Sequence, residues 1–213
     1  MFKDRREAGR ELARRLAPYA PLEPLVVGLP RGGVPVAAEV AKHLGAGLDI
    51  IVVRKIGCPW QPELGIGAIA EGGVRIVNDA LVHELGIQPN ELERVTVREE
   101  AELARRIRRY RSDRAAVALA GRVVILVDDG LATGYTARAA IEAMRRSGAR
   151  RVILAVPVAP ADSVAEMRDV ADEVVAVDSP PLFFAIGDFY EDFGQTSDAE
   201  VVALLERPQT QAH

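Results

Sequence analysis

Apolar residues fall along this chain in short unbroken runs, separated by stretches with helical spacing. Leu25 to Gly28 is the first run; the turn Pro30-Arg31-Gly32-Gly33 and a helical stretch from Val36 to Leu44 follow it. A second strand is expected from Leu48 to Arg54, nearly continuous in Ile and Val, as in a parallel strand covered on both faces. Strand Val123 to Val127 leads to helix Thr136 to Arg146, strand Val152 to Val156 to helix Asp162 to Val170, and strand Glu173 to Val177 closes the series. Strands alternating with helices predict an α/β fold: a Rossmann-like, open, mainly parallel sheet with helices on both faces.

The remaining segments break that rhythm. Asp4 to Ala17 reads as a helix capped by Asp4, with Leu12 and Leu16 one turn apart among Arg and Glu. The stretch Gly57 to Gly67, rich in Gly and Pro and holding Cys58 and Trp60, reads as a long mobile loop. Alternation in Ile66 to Ala70 and Val74 to Val77 around Gly72-Gly73 predicts a hairpin. Asp79 to Leu85 and Asn90 to Arg114 are helical, the second ending in a basic run. The tail from Ser179 gathers Pro181, Phe183, Phe184, Phe189, Tyr190 and Phe193 ahead of a last helix, Asp198 to Leu205, and the terminus reads as frayed from Pro208. One domain is expected over 1–213, with a core of about 22–178, a loop and helical insertion of about 57–116, and a small hood from 179–207 joined by 1–20.

At 213 residues the chain can bury one substantial core, and a formal net charge of -4 offers no global basic field. Nucleic-acid binding is therefore not the expectation, and a small anionic substrate needs a local site. Glu99, Glu100 and Glu102 interleave with the basic residues of Arg94 to Arg114, which reads as a solvated helix face. The single cysteine, Cys58, excludes an internal disulfide and has no zinc-type spacing. Met1 to Arg15 lacks the apolar stretch of a signal peptide, and no later run is long enough to span a bilayer. A cytoplasmic protein with no membrane partner is expected.

The chemistry concentrates in Val123 to Thr136. Five apolar residues precede Asp128 and Asp129, and a loop of small and hydroxyl residues then opens a helix. In an open parallel sheet, ligands bind beyond the carboxyl ends of strands, where these acids fall. The loop can aim backbone N–H groups at an anion at the positive end of the helix, with Thr133 and Thr136 adding hydroxyls and Gly134 allowing close approach. Neither the lysine of a G-x-x-x-x-G-K-[ST] loop nor G-x-G-x-x-G spacing is present. Carboxylates ahead of a phosphate cradle repel a polyphosphate but accept hydrogen bonds from vicinal hydroxyls and hold a hydrated magnesium ion. A sugar phosphate suits both halves.

The run Val124 to Thr136 resembles the signature by which type I phosphoribosyltransferases bind 5-phosphoribosyl-1-diphosphate (PRPP). The resemblance implies that fold, with Asp128 and Asp129 on the ribose hydroxyls and Ala132, Thr133, Gly134, Tyr135 and Thr136 on the 5-phosphate. Magnesium (Mg2+) would be the cofactor, held by Asp128 and Asp129 through water. Gly130 departs from the bulky aliphatic usual at its place, which puts the local loop packing in question. Arg31, Gly32 and Gly33 correspond to the diphosphate loop, and Arg54 and Lys55 are similar in place to basic residues that meet the diphosphate. The stretch after Lys55 would be the loop that closes over catalysis, with Trp60 in that lid.

By the same resemblance, PRPP would donate its phosphoribosyl group to a nitrogenous base or another acceptor with release of diphosphate, making the protein a pentosyltransferase. Phe183 and Phe184 are candidates to stack on the acceptor. Relatives that use 6-oxopurines carry an acid where this chain has Ala132, which argues against that subgroup. A homodimer is the expected assembly. The alternative is a regulatory protein that senses PRPP or nucleotides without turnover, since a fold does not fix a function.

Overall fold

The computed structural model describes residues 1–111 and 114–206. Five strands form one parallel sheet in the order β2-β1-β6-β7-β8: β1 (Leu25–Gly28), β2 (Gly47–Ile50), β6 (Val123–Val127), β7 (Arg151–Val158) and β8 (Glu173–Asp178). A second, antiparallel sheet runs β3-β4-β5, from Val53–Cys58, Gln61–Ala70 and Val74–Val77. Seven helices accompany them among the described residues: α1 (Arg5–Leu16), α2 (Gly33–Leu44), α3 (Asp79–Glu84), α4 (Pro89–Arg111), α5 (Tyr135–Arg146), α6 (Ala161–Met167) and α7 (Asp198–Glu206).

Both faces of the parallel sheet are covered, and this is why its strands read as unbroken apolar runs. Val26, Ile125, Val127 and Ile153 turn to the face shared with Leu12 and Leu16 of α1 and Val36 and Val40 of α2. Leu25, Val27, Val124, Leu126 and Leu154 turn the other way, onto Ala140, Ile141 and Met144 of α5 and Met167 of α6. Helix α1 begins where expected, its cap Asp4 accepting from Glu7 N at 2.8 Å.

Two expectations need correction. The strand anticipated from Leu48 to Arg54 divides: β2 ends at Ile50, and Val53 already pairs with Ala70 in the other sheet. Hydrophobicity could not mark the break, because Ile51, Val52 and Val53 are buried on both sides of it. The segment Gly57 to Gly67 is not a mobile loop but most of the β3–β4 hairpin, turning at Pro59 and Trp60 with bulges around Gly57. A Cβ on Gly57 would lie 2.3 Å from Pro62 O, and one on Gly67 would lie 2.3 Å from Ile76 O. These glycines mark close backbone approach rather than flexibility. The β4–β5 hairpin turns at Gly72 and Gly73 as expected, with φ of +82° and +76°.

The basic end of α4 keeps Arg105, Arg108 and Arg109 exposed, as expected, but much of its charge is paired. Arg105 and Arg106 each reach Glu102 at 2.7 Å, and Arg109 Nε reaches Asp198 at 2.9 Å. Arg111 is buried: it bridges Asp49 and Glu71, both at 3.0 Å, and donates to Ile50 O at 2.7 Å. It therefore ties α4 to the point where the chain leaves one sheet for the other. The expected extension of α4 through Ser112 and Asp113, and the fraying from Pro208, lie outside the described residues. No described helix is long and apolar enough to cross a membrane.

Candidate active site

Strands β1 and β6 are neighbours, Gly28 beside Val127, so the segments leaving their carboxyl ends run side by side. Helix α2 returns to one face of the sheet and α5 to the other, which opens a crevice between them. The segment after β1 is a tight turn: Leu29 N donates to Val127 O at 2.9 Å and Gly33 N to Leu29 O at 3.0 Å, and the Pro30–Arg31 peptide is cis. A Cβ on Gly32 would lie 1.9 Å from Asp129 Oδ2, and one on Gly33 would lie 2.6 Å from Val127 O. Only glycine lets this turn rest on the end of β6. Gly33→Ala should therefore cost about 2 kcal/mol through forced backbone displacement. Urea unfolding measures it, and an unchanged midpoint would count against the fit.

Asp128 and Asp129 follow β6. Asp128 Oδ1 accepts from Asp129 N at 2.9 Å. Asp129 is buried; its Oδ2 accepts from Arg5 Nε at 2.8 Å, and its carbonyl accepts from the Tyr190 hydroxyl at 2.6 Å. Burial pushes the Asp128 carboxyl well above the usual carboxylate range, and the charge of Asp129 pushes the same way. Burial also raises Asp129, with the Arg5 guanidinium working against it.

Beyond the acids, Leu131 N donates to Val158 O at 2.9 Å and Ser163 Oγ to Ala132 O at 2.7 Å, fixing both sides of the loop. Ala132 and Thr133 are exposed, and Thr136 is half-buried on the first turn of α5. Gly134, at φ +75°, begins α5 without a side-chain cap, leaving its first N–H groups for another acceptor. Tyr135 anchors the helix start instead, its hydroxyl accepting from Asn78 Nδ2 at 2.7 Å.

The expected basic residues separate. Arg31 stays on the glycine turn, 36% exposed, with Nη1 3.8 Å from Asp198. Arg54 is engaged by Glu99 of α4, at 3.0 and 2.6 Å. Lys55 Nζ donates to Glu63 O at 2.9 Å, and its stem passes the same face of Gly65 that Tyr135 approaches. Of the tail aromatics, Phe183 stacks on Phe189 with centroids 5.3 Å apart, while Phe184 is 86% exposed. The room left by Gly130 is filled from this tail: a Cβ there would lie 2.6 Å from Ile186 Cγ2.

Arg5, Tyr190, Ser163, Asn78 and Ile186 were not foreseen from the sequence. Arg5 and Tyr190 lie 124 and 61 residues from Asp129, and no local pattern couples such positions. Among the described residues no group of three or more His, Cys, Asp and Glu gathers as a metal cage. The donor set, two adjacent carboxylates beside an open crevice, fits magnesium, which keeps several waters and shares substrate oxygens.

The chain matches the family profile described as "Phosphoribosyl transferase domain" over residues 6–193. Two proteins of Mycobacterium tuberculosis, strains CDC 1551 / Oshkosh and ATCC 25618 / H37Rv, are each 52% identical over 207 residues, and their names assign them provisionally to the phosphoribosyl transferases. The alignment covers 97% of this chain and 47% of theirs, so the chain spans about half the length of these relatives. Among solved structures, TT1426 from Thermus thermophilus superposes with a TM-score of 0.81 at 45% identity, covering 96% of this chain and 97% of that one. The fold is that of the type I enzymes, and the matched span takes in the glycine turn, both acids, the loop into α5 and the tail that closes on them. The chain belongs to the phosphoribosyl transferase domain family.

Proposed function

We propose that this protein transfers the 5-phosphoribosyl group of PRPP to a nitrogenous acceptor in the cytoplasm and releases diphosphate. One observation carries the reading: two carboxylates at the end of β6 face a glycine turn at the end of β1, and an uncapped helix start follows them. The α5 start, with Ala132, Thr133, Gly134, Tyr135 and Thr136, holds the 5-phosphate through backbone N–H groups and hydroxyls. Asp128 and Asp129 accept from the ribose hydroxyls, and Gly32 and Gly33 bring backbone close to the diphosphate.

In the reaction the acceptor nitrogen forms a bond to the anomeric carbon as its bond to the diphosphate oxygen breaks, and the acceptor loses a proton. Positive charge builds on the ribose ring, and Asp128 and Asp129 lie on the side of the hydroxyls to stabilise it. Asp128 and Asp129 would hold magnesium through water, and the ion would supply positive charge to the leaving diphosphate. Arg31 and Lys55 add to that charge; Arg54, engaged by Glu99, is the basic group least free to do so. Phe184, exposed on the tail next to the Ile186–Gly130 contact, offers a flat face to an aromatic acceptor. A homodimer is part of the proposal, with exposed Trp60 and Val97 on its contact face.

The test is diphosphate release from PRPP with magnesium across a panel of purine and pyrimidine bases. Release with one class of base is the expected result. Tight PRPP binding with no release for any acceptor would favour a sensor instead.

A further inference from the structure

Arg5 lies 124 residues before Asp129 in the chain, yet its surroundings are as specific as those of the acids. Its Nε donates to Asp129 Oδ2 at 2.8 Å and its Nη1 to Gly194 O at 2.6 Å. Its guanidinium lies over the Phe193 ring, 3.9 Å from the centroid. Both members of the Arg5–Asp129 pair have side chains only 12% exposed. A flexible surface arginine finding a nearby acid would show none of this fixing.

The segments that carry Arg5 and Phe193 are also joined to each other. Phe2 N donates to Phe189 O at 2.7 Å, Glu191 N to Phe2 O at 2.8 Å and Asp192 N to Lys3 O at 2.9 Å. Tyr190, packed on Phe2 at 5.5 Å between centroids, sends its hydroxyl to the Asp129 carbonyl at 2.6 Å. Asp129 is therefore gripped twice, at its carboxylate from α1 and at its backbone from the tail. The pair also presses on the glycine turn, since a Cβ on Gly32 would meet Asp129 Oδ2 at 1.9 Å and Arg5 Nε at 3.2 Å.

We infer that Arg5 is a positioning residue for PRPP: by holding one carboxylate oxygen of Asp129 against the glycine turn, it leaves the other aimed at the crevice and sets the spacing of the two loops. The inference rests on the PRPP-binding reading above. A carboxylate ordered before the ligand arrives does not lose that freedom on binding, so the benefit falls on affinity. Once PRPP has filled the crevice, its own contacts hold Asp129, and turnover depends less on Arg5.

The experiment uses the full chain with magnesium and PRPP, measuring binding by calorimetry and KM and kcat by diphosphate release. Arg5→Gln should weaken PRPP binding by about 10-fold and raise KM similarly, with kcat within about 2-fold, since one charged contact is removed. Arg5→Lys keeps the charge but cannot span Asp129 and Gly194 together, and should recover part of the loss. In Arg5→Gln/Asp129→Asn the losses should not multiply, because Arg5 acts through Asp129. Wild-type affinity in Arg5→Gln, or multiplying losses, overturns the inference. Should Arg5→Gln not fold, Arg5→Lys decides, and wild-type affinity in it overturns the inference equally. Failure of the wild-type chain itself to bind PRPP would overturn the underlying reading, and this inference with it.

Discussion

Asp128→Asn is expected to lower PRPP-dependent diphosphate release by about 100- to 1000-fold while making the protein slightly more stable. Loss of a charge that meets the transition state costs about that much where the site is shielded from water. Asn keeps the carboxylate's shape and an oxygen to accept from Asp129 N, so the loop has no reason to move. The stability effect has the opposite sign because burial and the neighbouring Asp129 raise the carboxyl of Asp128 above its ordinary value. A group raised in the folded state contributes stability below its unfolded value and loses it as pH rises through the folded value. Against the Asn variant, the wild-type protein should therefore lose relative stability as pH is raised through that range. Thermal melts across pH, beside the release assay, measure both halves. Activity within about 10-fold of wild type would remove Asp128 from the reaction.

Arg111→Ala should cost about 3–5 kcal/mol, the usual penalty for removing one partner from a buried ionic group. The guanidinium holds Asp49 and Glu71 at 3.0 Å each, with exposures of 11%, 5% and 18% for Arg111, Asp49 and Glu71. Both acids carry further structural bonds: Asp49 accepts from Val117 N at 2.8 Å and Glu71 from Val52 N at 3.1 Å. Removing Arg111 leaves two carboxylates of one sign facing each other where β2 gives way to β3. Urea unfolding followed by circular dichroism measures the loss, and a change below about 1 kcal/mol would mean that water replaces the guanidinium.

The parallel sheet was legible because its strands are covered on both faces, which leaves unbroken runs such as Val123 to Val127. The two acids and the loop into α5 were legible for a related reason: in this kind of sheet a site is continuous with the strand that carries it. What stayed hidden was set by distant partners. Leu48 to Arg54 looks like one strand because Ile51 and Val52, which lie between the two strands, are as buried as their neighbours, and only pairing reveals the break. Gly57 and Gly67 resemble loop glycines because the carbonyls that crowd them, of Pro62 and Ile76, belong to partner strands. The pairing of Arg54 with Glu99 was hidden as well, because the two lie 45 residues apart.

Gly130 and Ile186 divide one small volume between them: where the loop gives up a side chain, the tail supplies one. The two positions are thus coupled through packing. A mutation that restores a bulky aliphatic at 130 has to be matched by a smaller residue at 186, and neither step is neutral alone. A change of side chain in the tail is therefore felt in the loop that follows the two acids, although the two segments lie far apart in the chain.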